Sequence, residues 1–402
     1  LNHFKAIALR LLFLCALLPV MLQFPACNEP ETSVDVTVTN KPVADPALTA
    51  FVADYRRFFL ETMAATGTPG AAIVIVRGDS IIWMEGFGVK QTGAPDSVDV
   101  NTVFRIGSLS KGFAGVLTGI LVQEGWIGWN ERVRDCYPEF TLSDEAQAGR
   151  MQLRHLLSHT TGLPYHAFTH LIERGYDTRK IVAEYFPHAR LSAREGEYYS
   201  YQNAAFSVIE EVMEAATRQT YQELVREKIF APAGMKNASC DYLSMVSNAN
   251  KCLPHFQTGF GFRADSISSL YYNSAAAGGV NASISDMGAW LRLLLGHQKN
   301  IVADSTLDKV FEPVTGTGGE RSVLHHWVRR NDAYYALGWR VLQHDTDTII
   351  YHGGYVNGFR GEIAFNRQKD VGICVLMNAS TELGAISVTN FFDRWKYFIP
   401  SK

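Results

Sequence analysis

The stretch FRIGSLSKGFAG (104–115) sets Ser108 and Lys111 three residues apart among small and apolar neighbours. A serine hydroxyl is a weak nucleophile until a base takes its proton. Three residues along a helix put both side chains on one face, so the lysine amine can be that base if it is neutral, or relay through a second group. If Ser108 opens the helix, its backbone N–H lacks an intrahelical partner and can face a developing oxyanion. Burial of the segment lowers the lysine pKa by desolvation. The arrangement suits acyl transfer to the serine. By itself Ser-x-x-Lys also arises by chance, as a capping serine beside a surface lysine.

Further groups stand downstream. A Tyr-x-Asn triplet occurs at Tyr201-Gln202-Asn203, at Tyr271-Tyr272-Asn273 and at Tyr355-Val356-Asn357. The first lies in a turn-like stretch just before the helical pattern AAFSVIEEVME, where a phenol can reach across a cleft and shuttle a proton. The third overlaps YHGGYVNGFRGEI (351–363), in which His352, Gly353 and Gly354 bring backbone close to a substrate because glycine has no Cβ to block it. His155 and His159 are spaced i,i+4 but lack the intervening glutamate of a zinc protease. His325-His326 reads as a surface loop. Arg360 is a candidate carboxylate binder, with surface pairing the stronger reading.

Taken together these segments resemble the serine β-lactamase and penicillin-binding-protein superfamily. The nearest branch is that of class C β-lactamases, D-alanyl-D-alanine carboxypeptidases, D-aminopeptidases and related esterases. The resemblance runs from about residue 50 to the end. It rests on FRIGSLSKGFAG, HLLSHTTGLP, YSYQNAAFSVIEEVME, AGGVNASISDMGAWL and HGGYVNGFRGEIAF, in that order, with 93 residues from Ser108 to Tyr201 and 151 from Tyr201 to His352. It implies that Ser108 is acylated, that Lys111 and Tyr201 transfer protons, and that Asn203 hydrogen-bonds Lys111 or the substrate amide. It further implies that His352 fills the place of a cationic residue, and that the backbone N–H groups of Ser108 and Tyr355 form the oxyanion hole. HLLSHTTG is a structural signature in that family. Where many β-lactamases carry Lys-Thr-Gly, this chain has His352-Gly353-Gly354. The missing hydroxyl at Gly353 argues against efficient β-lactam hydrolysis.

The elements that must position these groups follow from periodicity. PALTAFVADYRRFFLETMAATG (46–67) has helical spacing and ends at a glycine. GAAIVIVRGDSIIWMEGFG (70–88) reads as a hairpin. KGFAGVLTGILVQEG (111–125) is a buried helix, with Trp126 and Trp129 packing below it. The middle of the chain is helical and loop-rich, and Gly278 and Gly279 mark a turn near the cleft. SISDMGAWLRLLLG (283–296) is a helix with Ser283 or Ser285 as its cap. Strands return in YALGWRVLQ, DTIIYHGG, FRGEIAFN and DVGICVLMN, and GAISVTNFFDRWKYF closes the chain as a helix. Strands at both ends and helices between them predict an α+β fold: one antiparallel sheet flanked by helices, with an all-helical domain inserted. The sheet domain takes residues 46–145 and 275–402, the helical domain 146–274.

The 402 residues are 47% hydrophobic and 19% charged, which fits a globular enzyme rather than a disordered chain. After residue 26 the chain carries 35 basic and 40 acidic side chains with no basic block, which argues against nucleic-acid binding. Lys5 and Arg10 precede a short apolar run broken by Pro19, as in a secretory signal. Residues 1–26 are therefore expected to be a targeting segment and 27–45 a polar tether. Cleavage near Ala26, or lipidation of Cys27 in a lipobox-like setting, would end the segment, and a retained anchor is the plainer alternative. Export permits a disulfide, and Cys240 with Cys252 is the one pair whose spacing suits it, while Cys374 reads as a buried strand residue. The expectation is an exported serine hydrolase, periplasmic or a membrane-anchored lipoprotein, with a small-molecule or peptide substrate and neither metal nor cofactor. A true class C β-lactamase and a non-catalytic peptidoglycan- or ligand-binding protein are the rivals.

Overall fold

The structure is a computed structural model and describes residues 45–398 apart from 319, 321–323 and 329. The expected targeting segment 1–26, most of the tether 27–45, and Cys27 lie outside the described residues. Among those described, the strands are β1 Gly70–Arg77, β2 Ser80–Gly88, β3 Val103–Arg105, β4 His255–Thr258, β5 Gly261–Ala264, β6 Asn281–Ser283, β7 Thr315–Gly316, β8 Arg330–Tyr335, β9 Arg340–His344, β10 Asp347–Val356, β11 Phe359–Asn366 and β12 Val371–Met377. Eight of them form one antiparallel sheet in the order β2-β1-β12-β11-β10-β9-β8-β7. The N-terminal hairpin therefore joins the C-terminal strands along the β1–β12 ladder, where Ile73 stands opposite Val375.

Both faces of this sheet are covered, which is why its central strands read as unbroken apolar runs. Along β1 the side chains divide by period two. Ala71, Ile73 and Ile75 join a layer with Tyr55, Phe59, Phe391 and Trp395, whereas Ala72, Val74 and Val76 join the main core with Met287 and Leu291. The first layer belongs to the helix α1 (Pro46–Thr66) and the C-terminal helix Leu383–Trp395. Helix α1 starts where Asp45 accepts hydrogen bonds from the N–H groups of Ala47 and Leu48, and it stops at Gly67 in the left-handed region.

The helix that carries Lys111, α2 (Ser110–Gln123), is preceded by a tight turn at Gly107–Leu109, so Ser108 sits one turn ahead of the α-helix proper. Nearly all of α2 is buried. Phe113 stacks on Trp290 of the helix Ile284–Leu294 at 4.0 Å between ring centroids. That helix is capped by Ser283, whose reciprocal bonds with Asp286 close a capping box. Two sequence expectations fail here. Trp126 is 51% exposed and bonds Glu124 rather than packing below α2, while Trp129 does reach Gly119 of that helix. Cys240 and Cys252 are free thiols. Each is buried in the main core, and the Cys252 sulfur faces the Asn378 amide at 3.8 Å.

Candidate active site

Lys111 is fully buried, and its amine meets three oxygens from three parts of the chain. It donates to Asn203 Oδ1 at 2.8 Å and to the Ala277 carbonyl at 2.8 Å, and stands 3.4 Å from Ser108 Oγ. Asn203 is the first residue of the helix Asn203–Thr217, and Ala277 lies in the short helix Ala275–Gly278. A neutral amine has two N–H groups and one lone pair. The two carbonyl acceptors use the N–H groups, which leaves the lone pair toward the serine. Burial, and then the nearby Arg340 guanidinium, hold the lysine well below its ordinary pKa. The contact to Ser108 is long, as catalytic hydrogen bonds often are before substrate binds.

Tyr201 completes this group. Its phenol hydrogen-bonds Ser108, and its ring centroid is 4.8 Å from Lys111 Nζ. Burial raises the phenol above its ordinary range, although Arg340 and the bond to Ser108 pull the other way, so it keeps its proton at neutral pH. The second Tyr-x-Asn triplet is placed differently. Tyr272 donates to Asn281 Oδ1 at 2.6 Å and lies against the Arg105 guanidinium, while Tyr271 lines the cleft and reaches Glu173 at 3.2 Å.

Strand β10 runs beside the Ser108 turn. A Cβ on Gly107, which has φ of 54°, would stand 2.8 Å from the Tyr355 nitrogen, and one on Gly354 would collide with the Ile106 carbonyl. Both glycines are therefore required for the Ser108 turn and the Tyr355 backbone to lie side by side, as a two-donor oxyanion site needs. Ser110 secures the turn, donating to Gly107 O at 2.7 Å and accepting from Val280 N at 3.0 Å. The Tyr355 side chain is exposed.

His352 does not fill a cationic role. It is fully buried, and burial together with Arg340 and Lys111 pushes it well below its ordinary pKa. Its hydrogen bonds fix a neutral tautomer. Nδ1 lies 2.7 Å from the Gly353 carbonyl and must donate, so Nε2 accepts from the Tyr335 hydroxyl at 3.0 Å. Tyr335 in turn accepts from His159 Nε2 at 3.2 Å, because His159 Nδ1 is taken by the Gln202 N–H at 3.1 Å. A directional buried chain thus runs from Gln202, between Tyr201 and Asn203, through His159, Tyr335 and His352 to Gly353. His159 is the last histidine of HLLSHTTG. His155 is not part of this chain: its Nδ1 faces Gln152 N, and burial pushes it down to about 4.

The position of Gly353 is filled from the neighbouring strand. Glu362 stands directly opposite it in the β10–β11 ladder, and a Cβ on Gly353 would come 2.8 Å from a Glu362 oxygen and 2.9 Å from the Tyr351 hydroxyl. Glu362 accepts from Tyr351 at 2.7 Å and from Arg360 Nε at 2.9 Å, so Arg360 pairs inside the cleft rather than on the open surface. A second buried pair, Arg340–Glu320, joins at 2.7 Å through two guanidinium nitrogens, and Tyr199 also donates to Glu320 at 2.7 Å. Sequence reading missed Arg340, Glu320, Glu362 and Tyr335. A signal existed for one of them, since Arg340 in ALGWRVLQ is a lone charge within an apolar strand run, and a charge buried there needs a partner.

The cleft enclosing Ser108, Tyr201, Asn203, Gly353 and Gly354 has a volume of ≈ 630 Å³, room for a small ligand. A family model described as Beta-lactamase matches residues 55–389. The chain is similar to the unguisins hydrolase ungD' of Aspergillus campestris (24% identical; 82% of this chain, 61% of the relative) and to the protein flp of Staphylococcus aureus strain MW2 (23%; 78% and 60%). It thus spans about 60% of the length of these curated relatives. Among solved structures it resembles the octameric penicillin-binding protein homologue of Pyrococcus abyssi, with a TM-score of 0.76, 20% identity, and coverage of 86% of this chain and 77% of that one. It also resembles a beta-lactamase/D-alanine carboxypeptidase of Yersinia pestis in complex with citrate, with a TM-score of 0.68, 20% identity, and coverage of 86% and 97%. These likenesses at 20% identity establish the fold.

Tyr335→Phe removes the middle of the buried chain, strands the His159 N–H and leaves the His352 lone pair only the Arg340 Nη1 contact at 3.4 Å. It is expected to lower unfolding stability in urea by about 1–3 kcal/mol, the cost of an unsatisfied buried polar group. It is also expected to reduce kcat more than it changes KM. A variant as stable and as fast as wild type would show that the chain positions nothing.

Proposed function

The chain belongs to the beta-lactamase family, and from that premise we propose that it is an exported serine hydrolase cleaving a small ester or amide through an acyl-enzyme on Ser108. The observation that carries the proposal is the hydrogen bonding of Lys111, which spends two N–H groups on Asn203 and Ala277 and turns its third position to Ser108. In the proposed reaction Ser108 Oγ attacks the substrate carbonyl as its proton passes to Lys111 Nζ. The carbonyl oxygen gains negative charge facing the backbone N–H groups of Ser108 and Tyr355. As the tetrahedral intermediate collapses, the C–O or C–N bond breaks and the leaving group takes a proton through Tyr201, resupplied from Lys111. Water then attacks the acyl-enzyme, its proton returns through the same pair, and Ser108 leaves with a hydrogen restored.

The charges of the cleft favour substrates without a carboxylate. His352 is neutral, Arg340 and Arg360 are neutralised by Glu320 and Glu362, and Glu173 and Glu382 also line the walls. Among the described residues a carboxylate would meet no uncompensated cation there. This weighs against a true class C β-lactamase and for a neutral ester or amide. Export rests on Lys5 and Arg10 ahead of the apolar run, with Cys27 as the candidate lipid site. Mass spectrometry of the mature N-terminus should find a diacylglyceryl group on Cys27 or an end at or after Ala26. An intact residue 1 would overturn export by cleavage.

A fluorophosphonate probe should label Ser108 in wild type and leave Ser108→Ala unlabelled. An unlabelled wild type would instead support the non-catalytic rival. The base must be neutral to act, and burial lowers the Lys111 pKa, so the deprotonated form prevails above that lowered value. The kcat/KM for a neutral ester is therefore expected to rise with pH and to level off well below the ordinary lysine value of 10.5. A rate still climbing as pH nears that value would remove Lys111 as the base.

Wild type is expected to turn over p-nitrophenyl acetate faster than nitrocefin. Glu362→Gln removes one negative charge and releases Arg360. It should raise the nitrocefin-to-acetate ratio of kcat/KM about tenfold, equivalent to ~1.4 kcal/mol. An unmoved ratio would mean that Glu362 does not set this preference.

A further inference from the structure

We propose that His325, His326 and Glu382 form a site for a divalent transition-metal ion, zinc by its donor set, at the mouth of the cleft that holds Ser108. Both imidazole Nε2 atoms converge on one carboxylate oxygen. His325 Nε2 lies 3.5 Å from Glu382 Oε2, and His326 Nε2 makes a short hydrogen bond to the same atom. The two rings lie against one another, with centroids 3.9 Å apart. All three donor atoms fall within 4.8 Å of each other, and this is the one such His/Cys/Asp/Glu cluster among the described residues. Zinc bonds of about 2.0–2.2 Å in a tetrahedron place ligand atoms roughly 3.3 Å apart, so small side-chain rotations turn this triangle into a binding site.

The scaffold holds the three ligands in place. Leu324 and Trp327 flank the histidine pair and are both buried. Trp327 packs on Tyr351 of β10 and on Phe392 of the C-terminal helix, and Glu382 is the residue that caps that same helix. One aromatic contact therefore keeps the loop and the helix start together.

The electrostatics allow a cation. The Arg360 charge in the same cleft is balanced by Glu362 at 2.9 Å. Two neutral imidazoles and one carboxylate are a borderline-soft set that suits zinc rather than magnesium or calcium. Three protein ligands leave a fourth position, and His325 and Glu382 line the same cleft as Ser108. The site has no part in the proton transfers at Lys111, and its test is independent of the acyl-enzyme reading.

The experiment is calorimetric titration of the untagged, chelator-treated chain with zinc chloride, and with cobalt(II) to follow visible absorption. One equivalent should bind, with the absorption of a four-coordinate cobalt site. His325→Ala, His326→Ala and Glu382→Gln should each weaken zinc by at least ~10-fold, since even the loss of a group that merely supports a ligand costs 10–100-fold. Ser108→Ala should bind zinc like wild type. Circular dichroism checks that each variant is folded. No stoichiometric binding to wild type, or equal binding by folded His326→Ala and Glu382→Gln, would overturn the proposal and leave an ordinary histidine–carboxylate pair.

Discussion

The burial of one amine is the constraint on which the rest of the structure depends. Lys111 is taken out of water entirely, and a buried lysine without acceptors would be costly. Its two acceptors, Asn203 and Ala277, lie 92 and 166 residues away in sequence. The helices that carry them must therefore close over α2 from one side while the sheet closes from the other. The glycines of α2 serve that second closure. A Cβ on Gly112 would run into the Trp339 ring, and one on Gly115 into the Leu337 carbonyl. Glycine inside a helix costs roughly 0.5–1 kcal/mol, and here it lets the β8–β9 turn press directly on the helix that carries Lys111.

The same closure fixes the character of the cleft. Arg340 is buried because it lies between Tyr201 and Tyr335, with its guanidinium carbon 5.6 and 5.5 Å from their ring centroids. A buried guanidinium needs a carboxylate, and Glu320 supplies it. Burial, and then the charge of Arg340, depress both Lys111 and His352. On the opposite wall Glu362 occupies the space that Gly353 vacates. Among the described residues the cleft is thus rich in charge yet offers no uncompensated cation, because Arg340 and Arg360 are each paired with a glutamate.

Much of the fold was legible because its signals are local. The helix at Pro46–Thr66 announces itself by spacing and a terminal glycine, and the hairpin at 70–88 by two β-rich runs around Arg-Gly-Asp-Ser. The site was legible where residue type and short spacing suffice, as for Ser108 and Lys111, and where the segment order resembled a known family, as for Tyr201 and Asn203. It was misread where a residue's environment comes from distant strands. His352 has a titratable side chain in a glycine-rich stretch, which suits a cation, but its neighbours Tyr335, Arg340 and Lys111 make it neutral.

The sequence alone determined the order of elements, the antiparallel sheet built from both chain ends, and the proximity of Ser108 and Lys111 three residues apart, because each depends on periodicity or on neighbours a few residues away. Only the tertiary structure decided that Glu362 rather than a hydroxyl stands at Gly353, that Arg340 and Glu320 pair in the interior, and that His325, His326 and Glu382 come to one point. Those outcomes depend on ladder register and on the closing of loops across many tens of residues, where a one-residue slip would turn each side chain to the opposite face.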